Sequence, residues 1–331
     1  MIITQTPLRI SLAGGGTDFA GFYAVEEGCV LSTAIDKYLY VIVKERFDDL
    51  IYVNYSRKEI VERIDDLKHE LVREAMRITG VLDGVEITTL ADIPSEGSGL
   101  GSSSSLTVGL LNALYAYQGN PRPAEQLAEE ACRIEIEVLG KPIGKQDQYI
   151  TAYGNLRLFT FRGDGSIDCA TLDLPDAVKR RLNANLLLFY TARTRRSEEI
   201  LTEQRAAIGD RMAVLRTMKA QALEAREYLA QGRVDEVGHL LDRAWQLKKS
   251  LASRISDPEI DAMYGAGRQA GALGGKICGA GGGGFLLLYC PAERQEEVRQ
   301  ALVGYREMPF ALERDGSKVI FNVRRETWPK R

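Results

Sequence analysis

The chain has 331 residues, 45% of them hydrophobic and 27% charged, with 43 Lys and Arg against 46 Asp and Glu for a formal net charge of −3. That length exceeds what one core usually organises and predicts two units of roughly 150 residues each. The near balance of charge gives no global attraction to nucleic acid, and no apolar run approaches the ~20 residues of a membrane span. The first residues also lack a basic stretch followed by an apolar one. The expectation is a cytoplasmic protein whose partners are small molecules, with no nucleic acid and no membrane; a homodimer is left open. Five scattered cysteines and two histidines supply neither a disulfide framework, a zinc site nor a histidine-based triad.

A short strand around Arg9 runs into Gly14, Gly15 and Gly16, then Thr17 and Asp18. Polar groups just past a strand end are placed to meet a ligand, although Asp18 could equally cap a following helix. An arginine inside an apolar strand is costly unless paired, so Arg9 predicts a carboxylate or phosphate partner. Periodicity then gives strands over 29–35, 38–47 and 50–55, a helix over 66–79 and a strand over 85–90.

Next comes the most informative stretch, residues 94–105, in which Gly97, Ser98, Gly99, Leu100 and Gly101 precede the serines Ser102, Ser103, Ser104 and Ser105. It enters an apolar helix over 103–118. Glycines let backbone approach a ligand closely, and a helix start aims free N–H groups and its positive dipole end at an anion. Serine hydroxyls suit a hard cation such as Mg²⁺. A Gly/Ser linker would separate polar boundaries, whereas this segment is short and joins a strand to an apolar helix.

A helix over 123–139, opened by Pro123, carries Glu135 near its end; a Gly/Pro turn follows, then a second helix with Asp147 in its first turn. Phosphoryl transfer needs a metal-binding oxygen, a positioned acceptor hydroxyl and a carboxylate near that hydroxyl, and these clusters supply them. Beyond a polar turn at 162–165 and a strand over 185–190, Arg193, Arg195 and Arg196 mark a strand-to-helix junction. They form either a phosphate site or a solvated basic turn. A long helical region over 197–251 breaks near Gly232, and Asp257 and Pro258 open a helix over 259–270. Strands over 274–278 and 285–290, a helix over 292–303 and two final strands complete a mixed α+β chain. Gly279, Gly281 and Gly284 form a GxGxxG that opens a strand, not a helix, so they do not make a dinucleotide site. They read instead as a hairpin packed on the phosphate loop. No GxxxxGK[ST], HRD or DFG occurs, which excludes ordinary P-loop and protein kinases.

Taken in this order, the three glycine clusters resemble the GHMP small-molecule kinase superfamily, which includes galactokinase, mevalonate kinase and homoserine kinase. Residues 7–18, 94–105 and 276–284 resemble its three motifs. The resemblance implies an α+β two-domain GHMP kinase fold: a ribosomal-protein-S5-like α/β domain over 1–180 and a ferredoxin-like α+β domain over 181–331. It implies ATP and Mg²⁺ as cofactors, with the 97–104 loop on the ATP phosphates, Ser103 and Glu135 on the metal, and Asp147 catalytic beside Arg9 and Lys145. Glu135 precedes Gly140, Pro142, Gly144 and then Asp147, as in galactokinases, and Asp18 matches their sugar-binding acid. Gly16 stands where galactokinases carry His.

The chain is more similar still to bacterial D-glycero-D-manno-heptose 7-phosphate kinases and the related fucokinase domains. The matching text is Leu8-Arg9-Ile10-Ser11, Gly14 to Asp18, Ala34-Ile35-Asp36-Lys37-Tyr38, Gly144 to Tyr149, and Tyr190-Thr191 followed by Arg195. Ala192 stands where heptose kinases often have Gly. This likeness implies that Gly15, Gly16, Thr17, Asp18, Asp36, Lys37, Arg193, Arg195, Arg196, Gly281 and Gly282 bind the sugar, and that its anomeric hydroxyl is phosphorylated. A neutral acceptor such as fucose, and a non-catalytic sensor on the same fold, are the competing readings.

Overall fold

The computed structural model describes residues 1–93, 97–193 and 197–323. Its first half runs β1 (Ile2–Ala13), α1 (Ala20–Tyr23), β2 (Gly28–Glu45), β3 (Ile51–Asn54), β4 (Lys58–Val61), α2 (Glu70–Thr79), β5 (Val85–Ala91), α3 (Ser102–Gln118), α4 (Ala124–Cys132), α5 (Gln146–Tyr153), β6 (Leu156–Phe161) and β7 (Ile167–Thr171). Then follow α6 (Asp176–Ala184), β8 (Leu186–Tyr190), α7 (Ser197–Ala206), α8 (Met212–Ala230), α9 (Val234–Lys249), α10 (Pro258–Gln269), β9 (Gly274–Ile277), β10 (Phe285–Tyr289), α11 (Gln295–Ala301), β11 (Arg306–Glu307) and β12 (Lys318–Asn322).

The two strands expected over 29–35 and 38–47 are one. β2 continues through Asp36 and Lys37 by bulging against β1: Pro7 faces Tyr38 while Leu8 faces Ile35, leaving those two residues of β2 without a partner on β1. The N-terminal part of β2 pairs with β6 and its C-terminal part with β5, so one strand spans two regions of an eight-stranded sheet. Helices α3, α4 and α5 cover one core of that sheet, which includes Val41, Val43, Leu110 and Ile150. A second core joins Leu8, Ile10 and Leu31 to Leu240, Leu241 and Leu287 from α9 and β10. The antiparallel sheet β11-β8-β10-β9 lies in the second half of the chain.

The expected helix over 123–139 ends as an α-helix at Cys132 and continues as a π-helix over Arg133–Val138. Such wide turns re-aim side chains, and this one carries Glu135. The region 197–251 splits into α7, a 3₁₀ turn (Gly209–Arg211), α8 and α9. β12 departs from the expectation that 181–331 is a unit of its own. It pairs antiparallel with β1 and forms an edge of the first sheet, Ile2 facing Asn322 and Gln5 facing Lys318.

Candidate active site

A cavity of about 270 Å³ opens where the end of β1, the 97–104 loop, the start of α5, α9 and the 276–280 segment converge. The loop reaches it through Gly97, Gly99 and Gly101, with φ of +70°, +75° and +81°, a region closed to most side chains. Leu100 turns inward instead. Its side chain is fully buried in the second core, and its carbonyl accepts the Arg9 N–H at 3.0 Å, pinning the loop to β1. The glycine hairpin packs on the same loop: a Cβ at Gly284 would fall 2.3 Å from the Ser98 carbonyl oxygen.

Arg9, 4% exposed, meets the partner its burial demands. Nε donates to Asp147 Oδ1 at 2.7 Å and Nη2 to Oδ2 at 2.6 Å, a bidentate pair. Nη1 donates to the Gly99 carbonyl at 2.7 Å. One guanidinium therefore fixes the orientation of the carboxylate and its distance from the glycine loop. Burial opposes the charge on Arg9, Asp147 more than offsets it, and the arginine is held above its ordinary pKa.

Asp18 is 1% exposed and accepts from Gly16 N at 2.9 Å, Gln146 N at 3.2 Å and Gln146 Nε2 at 3.1 Å. Burial pushes its carboxyl up from the usual range, against those hydrogen bonds. Gly144 makes room for it: a Cβ there would lie 2.0 Å from Asp18 Oδ2.

Ser103 and Ser104 donate to Glu135 Oε2 at 3.1 and 3.3 Å, while Oε1, buried in a residue 0% exposed, meets no donor at hydrogen-bond distance among the described residues. Burial raises this carboxyl too. A carboxylate oxygen with no hydrogen-bond partner among the described residues, beside a serine hydroxyl at the glycine loop, is an oxygen donor set that fits Mg²⁺, which takes one or two carboxylates and fills its shell with water and phosphate. Among the described residues no three His, Cys, Asp or Glu side chains cluster as a metal site.

Two family models match the chain, the GHMP kinases N-terminal domain over residues 59–155 and the GHMP kinases C-terminal domain over 225–305. The chain belongs to the GHMP kinase family. It is a kinase, a phosphotransferase with an alcohol acceptor, and has the family's two-domain fold. The chain is 29% identical to a D-glycero-alpha-D-manno-heptose 7-phosphate kinase of Campylobacter jejuni, over 96% of its own length and 98% of the relative's. It is 30% identical to a mevalonate kinase of Thermococcus onnurineus over 77% of this chain and 74% of that one. A crystal structure of a D-glycero-D-manno-heptose 1-phosphate kinase from Bacteroides thetaiotaomicron superposes with a TM-score of 0.81 at 25% identity, covering 98% of this chain and all of the other.

Within this GHMP kinase several residues singled out by motif do not line the cavity. Lys145 lies with Nζ 5.4 Å from the Tyr23 ring centroid. Thr17 spends its hydroxyl on the Gly14 and Cys29 carbonyls, at 2.8 and 3.0 Å, and on Cys29 N, locking the strand end. Asp36 accepts from Ala311 N at 2.7 Å and pairs with Lys37 at 2.9 Å, holding the return to β12. Arg193 pairs with Asp257 and Glu259, both at 2.8 Å. Arg195 and Arg196 lie outside the described residues. Gly281 and Gly282 pack on Ile255, with Gly282 N donating to its carbonyl.

The cavity also recruits residues to which no role had been given: Ser11, Gln146 and Lys276, inside the motif segments, and Lys248, outside them. Lys248 had a legible signal. Val234, Val237, Leu241 and Ala244 make a buried helical stripe, and a lysine continues it. Lys276, in the fully buried strand β9, carries the same anomaly as Arg9. No described helix is long and apolar enough to cross a membrane.

Proposed function

We propose that this kinase transfers the γ-phosphoryl group of ATP to the anomeric hydroxyl of D-glycero-D-manno-heptose 7-phosphate, giving the 1,7-bisphosphate and ADP. The observation that carries the reading is the Arg9–Asp147 pair, held 2.7 Å from the Gly99 carbonyl by the same guanidinium, in a chain aligned end to end with a heptose 7-phosphate kinase. The acceptor hydroxyl lies against Asp147, its oxygen forms the new P–O bond, its proton passes to the carboxylate, and the bond to the bridging oxygen of ADP breaks. An anomeric hydroxyl is more acidic than an ordinary alcohol, so orientation and charge outweigh basicity here. The loop N–H groups over 97–104 cradle the nucleotide phosphates. Ser103 and Glu135 are the residues that would hold Mg²⁺, which supplies charge neutralisation on the phosphates. Gly15, Gly16, Asp18 and Gln146 form the sugar side of the cavity.

A second reading, a neutral sugar such as fucose, is favoured by one observation: Arg193 is committed to Asp257 and Glu259 and not to the cavity. ATP consumption measured with heptose 7-phosphate, mannose 6-phosphate, fucose, galactose and mevalonate separates the two. Preference for fucose supports the second reading, and preference for mevalonate overturns both.

A further inference from the structure

Lys276 is 6% exposed, borders the cavity and donates from Nζ to the Ser11 carbonyl at 2.7 Å. An ammonium has three N–H donors, and among the described residues this one has no other hydrogen bond and no carboxylate within ion-pair distance. A buried cation left with one carbonyl is costly unless a ligand completes it.

Its neighbours say where that ligand lies. Ser11 is two residues from Arg9 along β1, so the two share a strand face, and Arg9 holds Asp147. In the other direction, β9 leads from Lys276 through Cys278 to Gly279, which meets the phosphate loop at Gly99. Lys276 thus stands where the nucleotide loop and the reacting carboxylate come together. A phosphate already on the acceptor, at C7 of a heptose, is at the far end of the sugar from the reacting C1 hydroxyl.

We infer that Lys276 is a phosphate-binding residue for the group in transfer, donating its two remaining N–H groups to oxygens of the ATP γ-phosphoryl as it passes to the acceptor. This rests on the reading of the cavity as the ATP and acceptor site. Among the described residues, Arg9 on β1 and Cys278, just past the end of β9, are the charged or titratable groups acting on the ammonium, with Lys248 beyond Cys278.

The test is calorimetric titration of the full chain with Mg²⁺-ADP and with a non-hydrolysable Mg²⁺-ATP analogue, for wild type, K276M and K276R. The expected result is a loss of at least about tenfold in analogue affinity for K276M, ADP affinity within about twofold of wild type, and recovery of most of the loss in K276R. Equal losses for both nucleotides, no loss, or weakening confined to a sugar phosphate overturns the assignment. Should K276M fail to fold, K276R answers through its pH profile. Wild-type turnover falls on the alkaline side as the ammonium loses its proton, and an arginine, charged throughout, removes that limb; coincident limbs overturn the inference. Wild type binding neither nucleotide overturns the cavity reading itself, and this inference with it.

Discussion

Gly279 and Gly99 meet backbone to backbone: a Cβ at Gly279 would fall 2.6 Å from the Gly99 Cα, and one at Gly99 2.5 Å from the Cys278 carbonyl oxygen. Both sit at positive φ, +64° and +75°. The hairpin from the second half of the chain therefore sets the shape of the loop from the first.

Gly279→Ala should push the hairpin off the loop, lower nucleotide affinity by about tenfold or more and destabilise the fold by about 1–3 kcal/mol. Gly265→Ala, in α10 with nothing within 4 Å of its Cβ, is the control and should be neutral or slightly stabilising. Nucleotide titration and thermal melts of the two variants check this; equal behaviour would count against the packing argument.

Asp147→Asn keeps the size of the side chain and one acceptor for Arg9 while removing the charge proposed to meet the acceptor hydroxyl. Turnover should fall by roughly 10³-fold or more while nucleotide binding persists. Full activity in a coupled ADP-release assay would remove Asp147 from its assigned role.

Glu135→Gln replaces the buried carboxylate whose Oε1 meets no donor among the described residues with an amide that binds a hard cation poorly. The Mg²⁺ concentration for half-maximal rate should rise by about tenfold or more, read from a metal titration at saturating ATP. An unchanged requirement would place the ion elsewhere.

Lys276 gives a pH-dependent stability in the ligand-free protein. Burial lowers its pKa from 10.5 to about 8, so the folded state binds fewer protons than the unfolded state between those values. The contribution is fully present above about pH 10.5 and is lost as pH falls through 8, a change of about 3 kcal/mol at 1.36 kcal/mol per unit. K276M should therefore unfold at higher urea than wild type at pH 7, the gap closing as pH rises toward 10. A gap independent of pH would show that the ammonium carries no such penalty.

What the sequence made legible was the chemistry of local context. Arg9 in an apolar strand demanded an anion and faces Asp147, and glycines opening a strand signalled a tight approach that Gly279 and Gly284 make on the loop. Side-chain direction was not legible. Thr17 is adjacent to Asp18 in the motif, yet its hydroxyl turns back to Gly14 and Cys29. Asp36 and Lys37 lie in a bulge aimed at Ala311. Ala192, where related heptose kinases often have Gly, takes φ +55°, a left-handed conformation invisible until the backbone is traced. Lys248 escaped because no motif marks it, and Lys276 because its segment was read for its glycines, although each breaks an apolar pattern.

The pairing of β12 with β1 ties the order of folding to the far end of the chain. Thr6 and Ser317, 311 positions apart, share a hydrogen bond of 2.8 Å, and Asn112 of α3 donates to the same serine at 3.0 Å. Until that distant segment arrives, β1, the strand that carries Arg9, has an open outer edge, and closing so long a loop is slow. The strand that orients Asp147 is thus finished only when the whole molecule is, and a chain cut after its first half is left with an exposed edge suited to pairing with other chains.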